Sequence, residues 1–342
     1  LEGINGKSMA IIGTSIQEAG AWLRDGWPVG IPTETVYGLA ANACDREALL
    51  RVFETKGRPL TDPLIVHLAS QEELNRYAVD VPDTAYALLE AFSPGPLTLI
   101  LPKASILPDE VSAGLKTAGF RIPRHPLTLE LLRSLDFPLA APSANLFGRT
   151  SPTTADHVAD QLGEQIPYIL DGGPCRIGVE STVLDLSGSE PLLLREGGLT
   201  AESLEAFLGR PLQRPNHLAQ ADQAQRAPGT LAHHYAPSVP LFLFEDDLAL
   251  MDWLNQHDPL NQKPQPPALL RFDQVLMDSR VAAWNQEILS PKGDLEQAAH
   301  QLFGALRRLE KIAGIILAQK VPNTGLGAAI NDRLQRASMK PQ

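Results

Sequence analysis

The chain has 342 residues, 44% hydrophobic and 20% charged, with a formal net charge of −11 and two cysteines. That length exceeds one comfortable core and predicts two domains. No apolar run reaches the roughly 18 residues that span a bilayer, so a membrane role is not expected. Cys44 and Cys175 fall outside any Cys-x-x-Cys spacing, which argues against a zinc cluster or disulfide framework and for a reducing, cytoplasmic compartment. Both read as isolated buried thiols.

The acidity is uneven. Residues 1–210 hold 16 Lys and Arg against 27 Asp and Glu, whereas residues 211–342 hold 13 of each. Without a basic face, stable nucleic-acid binding is not expected. Residues 1–8 lack the basic start and apolar core of a signal peptide, and Met9 is the expected natural start.

Taken in chain order, Ile16, Ala19, Trp22 and Leu23 share one helical face, which Gly26 closes. A strand follows over 28–32. Asp45 can N-cap a helix that buries Leu49, Leu50 and Phe53 and ends at Gly57. Strand-like runs recur at 64–68, 97–101, 139–141, 168–170 and 182–186, with helical patterns between several of them. Over 209–240 the apolar periodicity disappears, as in an inter-domain linker. Strands at 241–244, 268–272 and 314–317 then alternate with helical stretches. The fold class is therefore α/β: a twisted mixed sheet domain with a concave ligand cavity over 10–210, a linker over 211–239, and a smaller Rossmann-like α/β domain over 240–342.

Familiar nucleotide and hydrolase motifs are missing. There is no G-x-x-x-x-G-K-[ST] and no G-x-S-x-G. Gly325 and Gly327 lack the third Rossmann glycine and read as a turn. His233 and His234 stand without the further ligands that a metal needs.

Five segments instead place polar residues at strand ends. Pro32-Thr33-Glu34-Thr35-Val36-Tyr37-Gly38-Leu39 can grip a small polar ligand or form a capped turn. Lys56-Gly57-Arg58-Pro59 makes a rigid cationic fork suited to phosphate oxygens, although cations at a helix C-terminus are favoured by the dipole alone. This segment runs on through Asp62 to His67, where a lone histidine ending a strand is more often a satisfied core residue. Thr117 leads to Arg121 and Arg124. A charge inside a strand at Arg121 calls for an anion, either a ligand carboxylate or an internal partner. Ala141-Pro142-Ser143-Ala144-Asn145, running to Ser151, and Gly178-Val179-Glu180-Ser181-Thr182, followed by Leu194-Arg195-Glu196-Gly197-Gly198, complete the set.

In combination and order these segments resemble the threonylcarbamoyl-adenylate synthase family in its long two-domain form. Lys56-Gly57-Arg58 with Ser143-Ala144-Asn145 matches that family's K-x-R and S-x-N pair, and His234-Tyr235-Ala236-Pro237 resembles the long form's inter-domain motif. The resemblance is close over 10–240 and architectural beyond. It implies synthesis of threonylcarbamoyl-AMP and pyrophosphate from L-threonine, bicarbonate and ATP, for threonylcarbamoyl modification of the adenosine next to the tRNA anticodon. Downstream threonylcarbamoyl transferase proteins are the implied partners. It carries threonine binding onto Thr35, His67, Arg121, Ala141 (through its backbone) and Ser181. It carries ATP binding onto Lys56, Arg58, Asp62, Thr117, Ser143, Asn145, Ser151, Arg195 and Tyr235. Lys56 and Arg58 are the expected catalytic residues and Mg²⁺ the expected companion ion.

No protein nucleophile is needed if a threonine carbamate attacks the α-phosphorus, so positioning and charge stabilisation are expected to carry the reaction. Arg121 is expected to hold the substrate carboxylate through two parallel hydrogen bonds. Asp62 stands where some relatives carry Asn, and a carboxylate there meets Mg²⁺, a ribose hydroxyl or the adenine amine. Tyr235 lies in the linker, which is expected to fold over the pocket as a lid. Two other readings compete: a hydrogenase-maturation type of carbamoyl-adenylate chemistry, which calls for zinc-binding cysteine pairs, and an RNA-binding module, which calls for an aromatic and basic stripe.

Overall fold

The computed structural model describes residues 9–215, 225–229, 234–257 and 265–338. The expectations for residues 1–8, for His233 and for much of the 211–239 linker lie outside them. The described residues form two compact units. The first holds most of the chain up to Gly229; the second holds 148–150, 177–179 and the described residues from His234 onward.

In the first unit the order is β1 (Ile11–Gly13), α1 (Ile16–Arg24), β2 (Val29–Ile31), β3 (Gly38–Asn42), α2 (Arg46–Lys56), β4 (Ile65–His67), α3 (Leu74–Tyr77), α4 (Asp83–Phe92) and β5 (Leu97–Pro102). Then come β6 (Thr117–Arg121), α5 (Pro126–Ser134), β7 (Leu139–Ala140), α6 (Ala155–Leu162), β8 (Tyr168–Leu170), β9 (Thr182–Asp185), β10 (Leu192–Arg195) and α7 (Ala201–Leu208). The strands make one ten-stranded mixed sheet in the order β1-β8-β2-β3-β7-β4-β6-β5-β9-β10. Side chains alternate across a strand, and β3 shows the result. Leu39 and Ala41 pack with residues of α2 and α6, while Ala40 packs with residues of α1 and α5. Helices therefore cover both faces.

The helix signals work as their chemistry requires. Ser15 caps α1 by accepting from Glu18 N, and Gly26, at φ 77°, follows its end. Asp45 caps α2 through the N–H groups of Glu47 and Ala48. Four strands went unread in the sequence: β1, β3, β10 and β13 (Asn285–Ile288, in the second unit). β3 is Gly-Leu-Ala-Ala-Asn, with no β-branched residue, and β13 is Asn-Gln-Glu-Ile. Their pairing comes from neighbours rather than from propensity. Cys175 is buried, but Cys44 is only half-buried.

In the second unit β11 (Leu241–Phe244), α8 (Asp247–Gln256), β12 (Pro267–Arg271), β13, α9 (Leu295–Ile312), β14 (Ile315–Gln319) and α10 (Leu326–Ala337) follow one another. Their sheet is all parallel, in the order β11-β14-β12-β13. As parallel sheets require, β12 is buried along its whole length and β14 nearly so. Gly325 and Gly327 open α10 as a turn. Among the described residues no helix is long and apolar enough to cross a membrane.

Candidate active site

The site is made of strand ends and the loops that leave them. β4 and β6 run parallel with His67 opposite Arg121, so both side chains arrive together at the C-terminal ends of their strands. The loop after β2 joins them. Thr128 of α5 donates to the Pro32 carbonyl, and within the loop the Thr33 hydroxyl donates to the Val36 carbonyl at 2.6 Å. That uses the only proton on Thr33 Oγ1, so Thr35 must donate its own proton across the 2.8 Å contact between the two hydroxyls. Thr35 Oγ1 is then left as an acceptor, and Arg121 Nη2 donates to it at 2.9 Å.

Arg121 is held on three sides. Nη2 also lies 2.9 Å from Glu34 Oε1, and Nε donates to the Gly95 carbonyl at 3.3 Å. Glu34 Oε2 accepts from the Arg124 N–H at 2.9 Å. Burial pushes the Glu34 carboxyl up, but the Arg121 charge and these hydrogen bonds outweigh it and hold it below the usual carboxylate range. Burial, reinforced by the Arg121 charge, pulls His67 down to about 3. The ring is therefore neutral at physiological pH, and Nδ1, 3.0 Å from the Ile65 carbonyl, carries its proton. Cys175, near the same groups, has its thiol pushed up by burial and is inert as a nucleophile.

A second cluster gathers the cations. Gly57 ends α2 at φ 60° and donates to the Glu54 carbonyl, which sets Lys56 in the last turn and Arg58 just beyond it. Lys56 Nζ donates to the carbonyls of Ser143, at 2.6 Å, and of Asn145. The K-x-R and S-x-N segments are thus joined directly. Burial, with the Arg58 charge, depresses the Lys56 amine well below its ordinary value. Arg58 donates to the carbonyls of Asp62 and Pro63 and pairs with Asp62 Oδ1 at 3.0 Å. Burial raises the Asp62 carboxyl despite the opposing charges of Arg58, Lys56 and Arg195. Unlike Glu34, it receives no backbone N–H among the described residues. The two buried acids therefore shift in opposite directions.

Thr117 begins β6, four residues from Arg121, so the two are about 13 Å apart along the strand. The register that pairs Ile65 with Gly119 runs back toward Thr117 at Pro63, the carbonyl that Arg58 holds. Arg195 belongs to the end of β10, where a bulge between Leu193 and Arg195 re-aims the strand. Its Nε and Nη2 donate to the Ser181 carbonyl at 3.1 and 2.7 Å, Nη2 to Ser181 Oγ at 3.1 Å, and Nη1 to the Pro228 carbonyl at 2.8 Å. Gly197 secures this approach. A Cβ there would lie 2.4 Å from the backbone of Ser181 and Thr182. Ser151 Oγ donates to Glu180 Oε1 at 2.5 Å, and the Ala141 N–H donates to the Ile65 carbonyl at 2.9 Å.

Tyr235 lies in the second unit, buried at φ 64°, stacked on Phe303 at 5.8 Å and with the Arg333 guanidinium 5.1 Å from its ring centre. Three contributors had no role in the sequence reading. Glu34 pins Arg121. Thr98, inside β5, sits 2.8 Å from Ser181 Oγ. Residues 225–229 return to the first unit: Gln225 N–H donates to Thr61, Arg226 pairs with buried Asp185, and Ala227 packs with Ile100 and Val183. A threonine in the middle of an apolar strand and a carboxylate between two threonines are the signals that could have exposed the first two. The third has no local signal.

Residues 21–197 match the family model described as "Telomere recombination", and residues 199–339 match "Threonylcarbamoyl-AMP synthase, C-terminal domain". A threonylcarbamoyl-AMP synthase of Pyrococcus abyssi is 40% identical over 328 residues, 94% of each chain. That of Bacillus subtilis is also 40% identical, over 94% of this chain and 92% of its own. The crystal structure of P. abyssi Sua5 complexed with L-threonine superposes with a TM-score of 0.87 at 37% identity, over 98% of this chain and 100% of that one. With relatives aligned nearly end to end and two family models tiling most of its length, the chain belongs to the threonylcarbamoyl-AMP synthase family.

Proposed function

We propose that the chain condenses L-threonine, bicarbonate and ATP into L-threonylcarbamoyl-AMP and pyrophosphate, with the first unit as the catalytic domain. The observation that carries this reading is the pair of buried clusters: Arg121, whose Nη1 is left for a ligand, at one, and Lys56, Arg58 and Arg195 around Asp62 at the other. The first suits an amino acid carboxylate and the second suits a polyphosphate.

Threonine would enter with its carboxylate on Arg121, beside Thr35, His67, Ser181 and the Ala141 backbone. Its deprotonated amine attacks the carbon of bicarbonate, forming the carbamate as hydroxide leaves and is protonated to water. A carbamate oxygen then forms a bond to the α-phosphorus as the bond to the pyrophosphate oxygen breaks. Lys56, Arg58 and Arg195 would hold the charge on the phosphates, with Thr117, Ser143, Asn145 and Ser151 placing the nucleotide. Tyr235 is assigned to ATP on resemblance alone.

Mg²⁺ fits only as a companion of the triphosphate. Among the described residues no three His, Cys, Asp or Glu side chains are grouped to hold a metal, and Asp62 is turned to Arg58. Bound there, the ion would neutralise phosphate charge. The mixed anhydride product is an activated acyl donor, which suits consumption by a transferase acting on tRNA adenosine, with the cytoplasm as the proposed compartment. Residues 211–239 would serve as the inter-domain linker and lid. The test is pyrophosphate release from ATP and bicarbonate with and without L-threonine. Strict dependence on threonine is expected, and release that ignores threonine, or none at all, would overturn the reading.

A further inference from the structure

The donors of Arg121 are unequally committed. Nε is spent on Gly95, and Nη2 donates to Thr35 while lying 2.9 Å from Glu34 Oε1 as the cation of an ion pair. Nη1 has no partner among the described residues. The edge of the guanidinium that carries Nε and Nη2 is therefore occupied, and a fork of two parallel bonds along that edge is not open to a ligand. What the site presents is Nη1.

We propose that Glu34 is a positioning residue for threonine binding: its buried carboxylate clamps the Nη2 edge of Arg121, so that only Nη1 faces the substrate carboxylate. This rests on the functional reading above. Glu34 suits the task because its two oxygens serve two different partners, one the ion pair with Nη2 of Arg121 and the other the hydrogen bond from the backbone N–H of Arg124. The second bond fixes the carboxylate to the chain just past β6, the strand that bears Arg121. The clamp is thus tied to the segment that carries the clamped residue. The clamp also leaves the pair neutral overall before substrate arrives, and the neutral His67 alongside adds no positive charge.

An amide cannot replace this acid. Glutamine has one acceptor oxygen for two donors, so whichever way it is flipped, an N–H meets an N–H at Arg121 or at Arg124. Aspartate keeps both acceptors and the charge on a shorter arm.

The experiment measures KM for threonine, KM for ATP and kcat in the full-length chain for Glu34→Gln, Glu34→Asp, Arg121→Lys and the double variant Glu34→Gln/Arg121→Lys. Glu34→Gln should raise the threonine KM about tenfold, with the ATP KM and kcat changed less than about threefold. Glu34→Asp should recover part of that loss. The double variant should be no worse for threonine than Arg121→Lys alone, because Glu34 acts only through Arg121. If Glu34→Gln does not accumulate as folded protein, the Asp variant and its double carry the same comparison. An unchanged threonine KM in the Glu34 variants, an equal rise for ATP, or additive penalties in the double variant would overturn the proposal. If Arg121→Lys itself leaves the threonine KM unchanged, the assignment of the pocket to threonine fails instead.

Discussion

At the scale of the residue, the site depends on buried charges whose protonation is set by their neighbours. His67 is the clearest case, because its shift from an ordinary 6.5 to about 3 has a definite sign. Between those values the unfolded chain binds a proton that the folded chain refuses, so this group's contribution to stability is complete above pH 6.5 and is lost as pH falls toward 3. From pH 7 to pH 5 that amounts to about 2 kcal/mol. Urea midpoints should therefore drop more steeply on acidification in the wild type than in His67→Asn, in which the group is absent. Parallel slopes would mean that the ring takes up a proton in the folded state. The sequence named His67 as a strand end but could not state its charge, because the charge follows from Arg121 and from burial among residues remote in the chain.

At the scale of the element, helix α2 shows how much a local signal can fix. Asp45 and Gly57 bracket it, and both were legible because a cap and a left-handed stop are short-range chemistry. The space around Gly57 is open, so backbone conformation alone selects glycine there. Gly57→Ala should cost about 1 kcal/mol and raise the ATP KM through Arg58. Gly57→Asn should cost less on both counts, since asparagine tolerates that conformation. Equal losses in the two variants would point to a role beyond backbone angle. Strand β3 and residues 225–229 show the opposite limit. β3 has the composition of a loop or helix and becomes a strand between β2 and β7. Residues 225–229 read as linker and are held by Thr61, Asp185 and Arg195, none within twenty-five residues. Arg226→Ala would leave the buried Asp185 Oδ2 without its cation. A stability loss of roughly 1–3 kcal/mol is expected in denaturant unfolding, and an unchanged midpoint would mean that the pair is fully screened by solvent.

At the scale of the whole molecule, a chain with net charge −11 takes a polyphosphate as substrate. The ordered set of five segments revealed the family because each carries backbone-demanding residues. The sharing of labour inside the set, with Glu34 against Arg121 and Asp62 against Arg58, stayed hidden because ion pairing depends on distance and not on order. Lys56 carries this furthest. Two carbonyls already face its nitrogen, and burial weakens the amine's hold on its proton. A polyphosphate beside it acts in the opposite sense and favours the charged amine. Nucleotide arrival should therefore raise the amine's affinity for a proton, with any proton taken up coming from solvent. Calorimetric heats of ATP binding should then differ between buffers of low and high ionisation enthalpy, and Lys56→Met should remove the difference. In that sense one buried amine couples the phosphate site to the surrounding buffer.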